Sequence, residues 1–130
     1  VNIEALTMID MAERELLPGV ENYVGKLAEV AVNKRKLGYI PTKVEDRQLI
    51  ALTAGMEKAY DALQALKDAD AEAITCTGNA KALAKAYCEK VVPAMAKLRK
   101  EVDALETMTG AEYWPVPTYA DLMFRQKGKI

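Results

Sequence analysis

Apolar side chains recur at three- and four-residue steps along most of this chain, the spacing that lines one face of an α-helix. Over residues 3–37 the series is Leu6, Ile9, Leu16, Val20, Val24, Leu27 and Ala31. Pro18-Gly19 interrupts it. Because the stripe runs on in phase across that pair, the pattern predicts one helix over 3–37, kinked at Pro18, rather than two. Lys34, Arg35 and Lys36 sit in its last turn ahead of Gly38, cations suited to the negative helix end before a residue suited to a left-handed cap. Pro41 bars further helix in the connection, and Thr42 with Glu45 has the spacing of a capping box. A second helix over 43–69 follows, with Leu49, Leu52, Met56, Ala59, Leu63 and Leu66 on one face and Glu57, Lys58, Asp61 and Lys67 opposite. Gly55 inside it predicts the close approach of another helix.

Asp68, Asp70 and Glu72 lack the glycine and ligand spacing of a calcium loop, so they read as acids in a solvated turn. Residues 71–75 read as a short helical prelude to a third helix over 80–108. The stripe of that helix is Leu83 or Ala84, then Tyr87, Val91, Met95, Leu98, Val102 and Leu105, with a kink at Pro93. Three long stripes with short connections predict an all-α, up-down-up bundle in a single domain over 1–130.

The tail, 109–130, breaks the pattern. Each proline of Trp114-Pro115-Val116-Pro117 removes a donor and pushes its predecessor out of the α region, so this stretch is expected to be extended. Trp114, Tyr119, Leu122, Met123 and Phe124 are too apolar to stand in water. Trp114, Pro115, Pro117, Tyr119, Leu122 and Phe124 are therefore the candidates for a strap that ties the bundle, or for an interface. Residues 125–130 are expected to fray.

Composition narrows the function. Hydrophobic residues make up 51% of the chain and aromatic ones 6%, which favours a folded helical protein over a disordered or β-rich one. With 18 basic and 19 acidic residues the formal charge is −1, which gives no global field to draw nucleic acid or an anionic membrane. No apolar run approaches the ~20 residues of a membrane span. Cys76 and Cys88 form no CxxC pair, so a reduced, cytoplasmic setting is expected. The chain has no histidine, which excludes Ser-His triads, His-ligated zinc and Glu-x-x-His di-iron sites from it. It opens at Val1 already inside a helical pattern, as a domain cut from a longer chain would. The methionines (Met8, Met11, Met56, Met95, Met108 and Met123) fall on or near stripes and read as core filling. Tyr23, Tyr60 and Tyr87 read as core-edge residues, and Arg99 with Glu106 as an ordinary helical pair.

Pro93-Ala94-Met95, Leu98-Arg99, Asp103 and Leu105-Glu106, followed by Trp114-Pro115, Pro117-Thr118-Tyr119, Asp121-Leu122 and Phe124, form a specific pairing. This run resembles the C-terminal region of type III glutamine synthetases, where a helix with a PAM..LR...D.LE pattern leads into a WP.PTY..LLF ending. Met123 stands where leucine is usual in that pattern. The first helix, ELLPGVENYVGKLAEVA, also resembles the family's proline-containing helix, with Gly19 and Val20 where alanines are expected. The likeness covers both ends of the chain and is looser over 38–80.

The resemblance implies a parent enzyme that joins ammonia to the γ-carboxylate of glutamate, using ATP and magnesium or manganese, through a γ-glutamyl phosphate. It places the catalytic and metal-binding residues in a preceding sheet-based domain. This chain then has no catalytic, cofactor-binding or metal residue of its own. It would brace the catalytic domain of the same polypeptide and contribute to packing in a homo-oligomer. The alternative is a free-standing helical adaptor whose Trp-Pro-Val-Pro-Thr-Tyr tail docks in a partner's groove, although the tail lacks PxxP spacing. An enzyme acting alone has little here to catalyse with. Burial of Trp114 within the chain discriminates between the first two.

Overall fold

Both in-helix prolines are accommodated in the same way. A proline within a helix has no N–H to donate, and its ring collides with the carbonyl four residues back. Here a single π turn precedes each: Ala12–Leu16 before Pro18 and Tyr87–Val91 before Pro93. The Leu17 N–H bonds to the Ala12 carbonyl and the Val92 N–H to that of Tyr87, each five residues back. The widened turn makes room for the ring, so the helix continues instead of breaking.

The computed structural model describes residues 2–76 and 78–116; the expectations for Pro117, Tyr119, Leu122 and Phe124 lie outside the described residues. Every regular element among the described residues is helical. The first long helix is built of Asn2–Met11, the π turn Ala12–Leu16, and Leu17–Leu37. The second is Lys43–Ile74. The third is Ala80–Ala86, the π turn Tyr87–Val91, and Val92–Met108, and a 3-10 turn follows at Ala111–Tyr113. Glu13 pairs with Lys67 and Lys34 with Glu45, so the first two helices run antiparallel. Tyr87 meets Asp70 and Leu105 meets Gly55, so the second and third do too. The order is up-down-up.

The core is weighted towards one seam. Of the largest fully buried side chains, Leu52, Leu63 and Leu66 come from the second helix and Val91, Leu98 and Leu105 from the third, whereas Val20 alone comes from the first. A large aliphatic side chain fully buried contributes about 1.5–3 kcal/mol, and alanine much less. The first helix instead buries Ala5, Ala12 and Ala31, with Leu16 and Val20. Gly55 admits Leu105: a Cβ there would stand 2.9 Å from Leu105 Cδ2 and 3.2 Å from Met108 Cε, the close approach that the glycine predicts.

The structure corrects several expectations. The stripe of the first helix holds its phase across Pro18-Gly19, where Leu16 and Val20 are both buried, and departs from the expectation at Leu6. Leu6 is 49% exposed while Ala5 is fully buried, because the π turn puts an additional residue into one turn and rotates the preceding face by about 100°. The second helix extends to Ile74, so residues 71–74 are its end and not a prelude to the third. Asp70 is only 4% exposed and accepts a hydrogen bond from the Tyr87 hydroxyl at 3.4 Å, so it does not belong to a solvated turn. Burial raises the Tyr87 pKa, and Asp70 adds to it. Glu72 pairs with Lys90, and this raises the lysine's pKa.

The capping box does not form. The Thr42 hydroxyl donates to Asp46 Oδ2 at 2.9 Å, and Glu45 turns to Lys34 at 2.9 Å, whose ammonium holds the carboxyl below its ordinary range. Arg35 pairs with Asp46. The basic turn at 34–36 thus clamps the next helix as well as facing its own helix end. Gly38 has φ +96° and donates its N–H to the Arg35 carbonyl at 3.0 Å, the left-handed cap that its position predicts.

Candidate functional site

The candidate site grows out of the end of the third helix. Thr109 leaves the helix extended, and its buried hydroxyl donates to the Leu105 carbonyl at 2.7 Å, closing one of the orphan acceptors of the last turn. Gly110 then passes against the Tyr23 ring; a Cβ on it would lie 3.0 Å from Tyr23 Cε1. The 3-10 turn is held by the Tyr113 N–H on the Gly110 carbonyl at 2.9 Å and the Trp114 N–H on that of Ala111 at 3.2 Å. It swings the chain back onto the first helix.

There the Tyr113 ring meets Tyr23, with centroids 5.2 Å apart and planes tilted by 46°. This tilted arrangement suits two aromatic quadrupoles. Gly19 lies directly beneath the segment: a Cβ at that position would stand 2.7 Å from the Tyr113 carbonyl oxygen and 2.8 Å from Pro115 Cδ. Trp114 is extended, as a residue before proline must be, and only 6% exposed. Its indole joins the same core as Leu16, Leu98 and Val102, and Val116 packs against that core.

The segment therefore bridges the first and third helices. Beside it runs a groove of about 220 Å³, with Met8, Met11 and Leu16 on one wall and Leu98 and Val102 on the other. Trp114 and Val116 also line it, and Arg99, Asp103 and Glu106 supply its charge. The Trp114 Nε1–H is buried and finds no hydrogen-bond acceptor among the described residues. The lining of this groove is mostly apolar.

Of the six residues expected to form a strap or an interface, Trp114 and Pro115 are brought onto the first helix, while Pro117, Tyr119, Leu122 and Phe124 lie outside the described residues. Sequence reasoning missed Gly19, Tyr23, Gly110 and Tyr113 as their partners. Gly19 carried a signal, since a glycine after proline inside an apolar stripe has little helical reason to exist, but nothing local says what crosses it. Arg99 and Glu106 share the groove wall. Among the described residues no group of three or more acidic or cysteine side chains is placed to hold a metal ion, and no helix is long and apolar enough to cross a membrane. No protein-family model, no curated protein and no solved structure matches this chain.

Proposed function

We propose that this chain is a non-catalytic helical domain of an ATP-dependent glutamine synthetase, bracing the catalytic domain of the same polypeptide. On this reading its first and third helices bend at Pro18 and Pro93, and its proline-aromatic tail is a strap over the bundle. The parent is a cytoplasmic homo-oligomer that binds ATP with magnesium or manganese in the catalytic domain and joins ammonia to glutamate. The observation that carries the reading is the burial of Trp114 with Pro115 packed over Gly19. Trp114 and Pro115, two of the residues that bear the family resemblance, pack within this chain, which supports a structural role. The adaptor alternative needs Trp114 free for a partner, and its burial counts against that.

The test is the native polypeptide. An antibody to this domain, used on an extract of the source cells, is expected to reveal a band several times larger than 14.3 kDa. The purified full chain is expected to consume ATP only when both glutamate and ammonia are present. A band near 14.3 kDa, or ATP consumption indifferent to the two substrates, overturns the proposal.

A further inference from the structure

We infer that the outward face of the second helix is a self-association surface, on which a second copy of this chain lies antiparallel about a two-fold axis. Lys43–Ile74 carries two stripes. One is the buried stripe that includes Leu52, Ala59, Leu63 and Leu66. The other faces away from it: Lys43, Arg47, Ile50, Ala54, Glu57 and Asp61 are all exposed, and they recur at alternating steps of four and three. That is the repeat by which one helix packs along another. Ile50, in the middle of this stripe, is 72% exposed, and Ala54 beside it is small enough to let a second backbone come close. Charge then selects the occupant. The stripe is basic at its start and acidic at its end, and none of Lys43, Arg47, Glu57 and Asp61 enters an ion pair among the described residues. A parallel copy would set like charges together. An antiparallel copy with its midpoint level with residue 52 sets Lys43 against Asp61, Arg47 against Glu57 and Ile50 against Ala54, each pair made twice by the axis. The six positions span about 27 Å of helix at ~1.5 Å per residue. A hollow of about 420 Å³ lined by Leu49, Ile50, Thr53, Ala54 and Glu57 takes the other copy's Ile50. With one large apolar side chain per copy in this stripe, the contact draws on charge and weakens in salt. The inference does not depend on the synthetase reading: a failed dimer leaves that reading to its own assay, and a failed assay leaves the dimer standing.

The test is sedimentation equilibrium on the 130-residue chain and its variants at low salt, with circular dichroism to show that each variant still folds. A reversible dimer is expected, weakened by added salt. Arg47→Glu and Glu57→Arg each place like charges across the axis, and each is expected to weaken the dimer by at least about tenfold. Mixed together, the two variants set opposite charges at both contacts and are expected to recover a dimer containing one of each. Ile50→Asp is expected to leave the chain monomeric. A monomer at every concentration of the parent chain overturns the inference, and would leave this face to another protein or to solvent. So does a dimer indifferent to Ile50→Asp, which would place the contact elsewhere on the surface. A mixture of the two charge variants that stays monomeric overturns the antiparallel pairing.

Discussion

Pro18 and Pro93 share one local device and differ in what surrounds it. Each follows a π turn whose last N–H reaches five residues back. Next to Pro93, Val92 is 48% exposed and the neighbouring Lys90 reaches Glu72 at the surface. Next to Pro18, Gly19 and Val20 are buried, and the chain crosses overhead from Tyr113 to Pro115. Local sequence thus sets the turn, whereas the fold decides whether the turn becomes part of an interface. The alanine-lined first helix explains why the covered turn is this one. With mostly small side chains in the core, that helix gains most from an additional contact made by a large aromatic residue.

The sharpest way to break this contrast is Trp114→Ala, expected to destabilise the chain by about 3 kcal/mol, as large-to-small substitutions in cores do. A denaturant titration followed by circular dichroism measures it, and a change below about 0.5 kcal/mol, the scale of an ordinary surface substitution, would put the strap reading out of court. Gly19→Ala comes next. Its methyl would meet the Tyr113 carbonyl oxygen, a backbone atom that cannot rotate aside, so a loss of about 2 kcal/mol is expected, in the range of overpacking. The tryptophan emission should redden as the segment lifts. Gly25→Ala sharpens the comparison with the opposite sign. That position is helical and exposed with open space around it, and a gain of up to ~1 kcal/mol in melting experiments is expected.

The smallest effect concerns acid. The Glu45 pKa lies below its ordinary value because of Lys34, so the pair's contribution is complete above the unfolded carboxylate's value of about 4.5. It is lost as pH falls through the lower folded value. Lys34→Ala is expected to remove this part of the acid dependence, whereas Lys90→Ala leaves it. Equal acid titration curves for the two variants and the parent would contradict this assignment.

The second helix was legible because its stripe carries no irregular turn: Leu52, Ala59, Leu63 and Leu66 are all buried. The first helix was legible as a helix and in its phase from Ile9 onward, but not at Leu6. A π turn leaves no mark in an apolar pattern except the proline that follows, and weighting large residues favoured Leu6 over the buried Ala5. The capping box failed because Lys34 and Arg35, on the preceding helix, compete for Glu45 and Asp46. For the candidate site, Trp114 was visible as an anomaly in composition. Its seat was not, because Gly19 and Tyr23 lie far away in sequence from Tyr113 and Pro115, on the opposite side of the whole second helix.

That separation has a kinetic consequence. The two helical hairpins can assemble from neighbours in sequence, while the crossing over Gly19 closes a loop that spans most of the chain and gains little from local order. The crossing is thus placed to form after the hairpins and to open before them. In hydrogen exchange, the Trp114 N–H on the Ala111 carbonyl would be among the first of the buried amides to be released.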